Sequence, residues 1–197
     1  AFEFAQIREF QGTLQADPYP ALRVARPGAA GDAAYSQYLI VAEGKHGAEP
    51  QLARYGGMPV KLRGKLIYRD NRTMIELAPG SVTALDAAPS PPSVAIDLGT
   101  VTLTGEIVDS KCYLGVMNPG EGKVHRDCAA RCLSGGIPPA FVTRDTKGKT
   151  SVYLLTDASG HALSPSWLAD HAAQPITIRG RLLRSGDTLT LRAEEMN

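Results

Sequence analysis

The stretches PVKLRGKLIYRDNRTMIEL, from Pro59, and PITIRGRLLRSGDTLTL, from Pro175, are one pattern written twice. This repetition constrains the fold more than any other feature of the chain. Each stretch sets alternating apolar residues around a central glycine, Gly64 or Gly180, and then turns back as a hairpin does. The echo extends upstream. TLTGEIVD at 102–109 answers EFQGTLQA at 9–16, with Gly105 in the place of Gly12, and Tyr153-Leu154-Leu155 answers Tyr38-Leu39-Ile40. A repeat that relates several elements in the same order points to duplication of a whole folding unit, and its period is too long for a solenoid.

In the first copy, strand signals lie at 6–15, 21–25 and 38–42, a short helix at 48–55, and a strand pair turns at Asp70-Asn71. Each copy therefore reads strand, strand, strand, short helix, strand, strand, with glycines where a small barrel must bend. That order predicts an all-β protein of two tandem OB-like small β-barrels. Between them, AAPSPPS at 87–93 has too many prolines to keep the backbone donors of a packed element, so it reads as a linker. The expected organisation is a first barrel at 1–86, a Pro/Ser-rich linker at 87–98 and a second barrel at 99–197.

The two copies differ in one place. Gly12 and Gly105 are about 93 residues apart and Tyr38 and Tyr153 about 115, so the second copy carries roughly 22 extra residues before its YLL strand. They fall at 112–136, in a connection that OB folds use for binding. This insert holds all three cysteines of the chain. From Lys123 to Leu133 it has good helix formers, ended by Gly135-Gly136, and His125, Cys128 and Cys132 at i, i+3 and i+7 share one helical face. Cys112 comes from the end of the preceding strand. Three thiols and an imidazole suit a tetrahedral site for a borderline or soft metal, with zinc the first candidate and copper or iron the alternatives.

Two other readings of the same residues stand beside the metal site. Cys112 can pair with one helical cysteine in a disulfide that clamps the insert, leaving a metal-free module that binds protein or glycan. A Cys128–Cys132 bridge is disfavoured, because helical i,i+4 Cβ atoms sit about 5–6 Å apart and a disulfide needs about 3.8 Å. Alternatively, Cys128 is a reactive thiol influenced by His125, Arg126 and Arg131. That third reading needs a group to orient the histidine. Asp127 faces elsewhere on the helix, which leaves Asp109 or Asp145 to reach it through the fold.

The run GEIVDSKCYLG followed by GKVHRDCAARCLSGGIPPAFV resembles a group of poorly characterised exported bacterial proteins. Their pattern is G-x-[VI]-x-D-x-K-C, then H-x-x-C-A-x-x-C, then a Gly-rich turn and a strand. The matching positions are Gly105, Asp109, Lys111, Cys112, His125, Cys128, Ala129 and Cys132, all in the second half. The resemblance implies an exported small barrel whose signature is the Cys/His cluster, and it brings no settled activity with it. A chain that begins at Ala1 rather than Met agrees with a periplasmic or otherwise exported protein whose leader or anchor lies outside this sequence.

A formal charge of +1 and 6% aromatic residues provide neither the field nor the stacking surface of a nucleic-acid binder. No apolar run of the length needed to cross a bilayer as a helix occurs. The expected partner is a protein, membrane-associated if the export reading holds. No phosphate-loop, nucleophile-elbow or HExxH motif stands in a supporting context, and no reaction is assigned. His46, His161 and His171 read as surface residues and Trp167 and Leu168 as core contacts. Arg63, Lys65, Arg179 and Arg181 read as a solvated barrel face.

Overall fold

The computed structural model describes residues 1–197, with the side chains of Asp32 and Ala33 outside the description. The first half forms strands β1 (Arg8–Gln15), β2 (Ala21–Ala25), β3 (Tyr35–Val41), β4 (Pro59–Arg69), β5 (Arg72–Leu77) and β6 (Thr83–Ala84), with a single helical turn α1 (Glu49–Leu52). The second half contributes β7 (Ile96–Asp109), α2 (Arg126–Ser134), β8 (Pro139–Arg144), β9 (Thr150–Asp157), α3 (Pro165–Asp170), β10 (Pro175–Ser185) and β11 (Thr188–Met196).

The second half closes into a five-stranded barrel in the order β10-β11-β9-β8-β7. All of its pairings are antiparallel except β9 with β11. This is the Greek-key order of an OB-like barrel. The first half is a six-stranded sheet, β1-β2-β3-β5-β4-β6, in which β1 also pairs with β4. Its parallel pair, β3 with β5, occupies the same place in the pairing order as β9 with β11.

Glycines sit where neighbouring backbones come too close for a side chain. A Cβ at Gly12 would collide with the carbonyl oxygen of Arg23 on β2, and one at Gly105 with that of Val142 on β8. The second matched pair behaves alike, Gly64 against Glu76 and Gly180 against Arg192. Close backbone approach of this kind is what lets a short strand coil tightly enough to close.

The apolar side chains gather in three groups. Leu14, Leu22, Ile40, Leu62 and Ile75 fill the first half, while Ile107, Phe141, Leu155, Ile178 and Leu191 fill the barrel. The third group joins the two halves, packing Val41, Ile67 and Met74 against Val108, Cys112, Tyr113, Ile137 and Val142. The insert therefore lies at the junction of the halves rather than on a free loop.

Local differences from the sequence reading are small. β7 starts at Ile96, so the last residues of the expected linker are already strand, and the short β6 was not anticipated. The long β7 strand matters most, because its buried end carries the residues of the site.

Candidate metal centre

The centre begins where β7 ends. Asp109 is wholly buried, and its Oδ1 accepts the backbone N–H of Cys112 at 2.8 Å. This is the bond an N-capping carboxylate makes, and it opens a π-helical turn over Cys112–Val116. The other carboxylate oxygen, Oδ2, accepts from His125 Nε2 at 3.1 Å. Asp109 thus ties the strand end to the helical part of the insert.

A short 3-10 turn, Lys123–His125, leads into α2. The helix stops in a Schellman arrangement around Gly136, whose φ is 87°. Gly136 N–H donates to Leu133 O and Ile137 N–H to Cys132 O, both at 3.0 Å. The cap places the last cysteine of the helix. His125 and Cys132 are 3% and 1% exposed, Cys112 is 4% exposed, and Cys128 is half-buried at the rim.

None of the three cysteines is bonded to another. Ligand atoms of Cys112, His125 and Cys128 lie within 4.8 Å of one another, and so do those of Asp109, Cys112 and Cys132. Three of the four predicted ligands, Cys112, His125 and Cys128, thus lie together, while Cys132 joins Cys112 only in a second set that includes Asp109. Both sets are close enough to hold a metal ion. Asp109 uses its two oxygens on Cys112 N–H and on His125, which leaves the three sulfurs and the other imidazole nitrogen as the candidate ligand atoms.

The neighbouring Cys132 thiol pushes the Cys112 pKa up, with burial adding to the effect, and Cys112 in turn holds the Cys132 thiol below the usual cysteine range.

Two lysines that the sequence did not single out as ligands or partners complete the surroundings. Lys45, on the loop after β3, donates to Cys128 Sγ at 2.8 Å and lies 3.8 Å from Cys132 Sγ. The contact with Cys128 raises the Lys45 pKa above its ordinary value. Lys111, 2% exposed, donates to Glu76 Oε2 at 2.6 Å and to the carbonyls of Gly44 at 2.7 Å and Ala42 at 2.9 Å. Lys111 therefore crosses from the barrel to the first half from the position next to Cys112 in the chain.

The other sequence candidates lie elsewhere. Asp145 organises the β8–β9 turn through the amides of Lys147 and Lys149, so Asp109 is the residue that orients His125. His161 is exposed beside Asp157, and His171 stacks on Trp167 with ring centroids 4.1 Å apart. Lys65, Arg179 and Arg181 are engaged in ion pairs with acidic neighbours.

No family model matches the sequence, and no curated protein matches it. Among solved structures, a deletion mutant of the single-stranded DNA binding protein from Thermus aquaticus is similar over 97% of this chain and 92% of that one, at 13% identity and a TM-score of 0.29. A likeness so distant assigns no function.

Proposed function

We propose that the protein is an exported accessory module that binds one metal ion through Cys112, His125, Cys128 and Cys132, with zinc the first candidate and copper or iron the alternatives. The observation that carries this reading is the buried hydrogen bond between Asp109 and His125 beside three unbonded thiols. A carboxylate on one imidazole nitrogen fixes the tautomer and turns the other nitrogen toward a metal, the usual support for a histidine ligand. Cys132 and His125 fall in different close sets, so binding of all four to one ion would draw them together. The ion would cross-link β7 to α2 and hold the insert against the first half. Bound copper or iron would add electron transfer.

The matched glycines and the shared pairing order favour duplication of one OB-like unit, with domains near 1–86 and 99–197. A periplasmic location and a membrane-associated protein partner rest on the resemblance of the second half alone.

Cobalt(II) titration tests the site. Intense thiolate-to-cobalt charge-transfer bands, reaching an end point at about one equivalent and displaced by zinc, are expected for a tetrahedral thiolate-rich centre. Spectra of free aqueous cobalt throughout the titration would overturn the reading.

The second reading, thiol chemistry at Cys128, is favoured by one observation, the Lys45 ammonium on its sulfur. It predicts that Cys128 alone alkylates much faster at neutral pH than a free thiol. Uniformly slow labelling of the three cysteines would end it.

A further inference from the structure

We infer that the first half of the chain completes the metal centre by supplying Lys45 as the counter-charge of its solvent-facing sulfur. The inference rests on the metal-binding reading above and adds to it which residue, outside the ligand set, offsets the charge of the thiolate ligands.

The backbone that carries Lys45 is fixed from both sides. Within its own loop, Ala42 N–H donates to His46 O at 2.9 Å. On one side, Gly47 N–H donates to Gly135 O at 2.9 Å, and Gly135 lies so close to the Lys45 carbonyl that a Cβ there would collide with it. On the other side, Lys111 Nζ holds the carbonyls of Ala42 and Gly44. Both clamps come from the second half, one from the end of α2 and one from the turn that carries Cys112. A surface lysine normally samples many rotamers. This one stands on a loop docked to the helix that presents its sulfur partners, and its ammonium lies on Cys128 Sγ.

Charge supplies the reason. Three thiolates and a neutral imidazole around a divalent ion leave a net charge of −1. The Asp109 carboxylate is committed to His125 and to Cys112 N–H, and the Lys111 ammonium is neutralised by Glu76. Cys112, His125 and Cys132 are buried, so the excess charge is exposed chiefly through the half-buried Cys128. Lys45 meets it there. An N–H donor on a bound thiolate also withdraws electron density from sulfur, which makes the ligand a poorer target for protons and electrophiles. Lys45 is therefore a positioning residue that acts through Cys128, contributed by one half to a centre built on the other.

The test compares the whole chain with its Lys45→Met, Lys45→Gln and Lys45→Arg variants. Zinc affinity is measured by competition with a chromophoric chelator, and cobalt(II) spectra are recorded on the same preparations. Removing an outer partner of a metal ligand weakens binding by about 10–100-fold. Lys45→Met and Lys45→Gln should show that loss and shift the thiolate-to-cobalt band to lower energy. Lys45→Arg should restore most of the affinity and the band position. Equal zinc affinity and an unchanged band in Lys45→Met, with the unsubstituted chain binding both metals, would overturn the role of Lys45 and leave the metal site standing. No uptake of zinc or cobalt by the unsubstituted chain would overturn both.

Discussion

Replacing Lys111 by Met tests how firmly the two halves hold each other at the centre. The Lys111 ammonium is buried and makes three contacts across the junction, to Glu76 Oε2, Gly44 O and Ala42 O. Methionine keeps most of the apolar stem, so the substitution removes mainly the charge and its donors. Breaking one side of a buried ion pair costs about 3–5 kcal/mol, and an orphaned buried acceptor costs about 1–3 kcal/mol. Glu76 retains Lys65 at 3.4 Å, which lessens the penalty on the carboxylate. The expected loss therefore lies near the lower bound, about 3 kcal/mol. Against a total stability of about 5–15 kcal/mol, that is a large fraction. It should lower the guanidinium chloride midpoint, followed by circular dichroism, by about 0.5–1 M. Adding Glu76→Gln should cost less than the two single losses combined, with a coupling of about 0.5–3 kcal/mol. A midpoint within about 0.1 M of the unsubstituted chain would refute the reasoning, because an ammonium so enclosed cannot be removed without consequence.

Other predictions follow from neighbouring features. Asp109→Asn removes the charge that fixes His125, so zinc affinity measured by chelator competition should fall by about 10–100-fold, whereas an unchanged affinity would deny the carboxylate that role. Tyr19 is buried between the halves, where its hydroxyl donates to Leu155 O and accepts from Leu163 N–H, and burial pushes its pKa up to about 12. The unfolded chain releases that proton near pH 10 and the folded one near 12. Stability should be fully present below about pH 10 and fall by about 2–3 kcal/mol as pH rises to about 12. Tyr19→Phe should flatten that limb in alkaline denaturation curves, and an identical alkaline slope in the variant would exclude Tyr19 as its source.

The strand plan was legible because it is local and repeated. Period-2 apolar patterns and the glycines at 12, 64, 105 and 180 recur in both halves, and each glycine proves to face a backbone carbonyl. A helix carrying Cys128 and Cys132 was legible for the same reason, but it starts only at Arg126, so His125 stands on the 3-10 turn before it rather than on the helix itself. The role of Asp109 was only half visible. The sequence offered Asp109 or Asp145 as the group that orients His125, but the choice between them, and the second bond of Asp109 to Cys112 N–H, depend on how the insert folds back over the strand end. Lys45 lies 83 residues from Cys128, and nothing local marks it. Lys111 stood in the motif, yet its partners belong to the other half of the chain. The contacts between the halves escaped the sequence reading because they join residues far apart in the chain.

The central claim is that Cys112, His125, Cys128 and Cys132 hold a metal ion rather than a disulfide. Elemental analysis combined with thiol alkylation, on one sample purified without added metal, tests it most directly. The account predicts about one metal ion per chain. It also predicts three cysteines that alkylate under denaturing, chelating conditions without any reductant. A metal-free protein in which only one cysteine alkylates, with Cys112 in a disulfide, would contradict it.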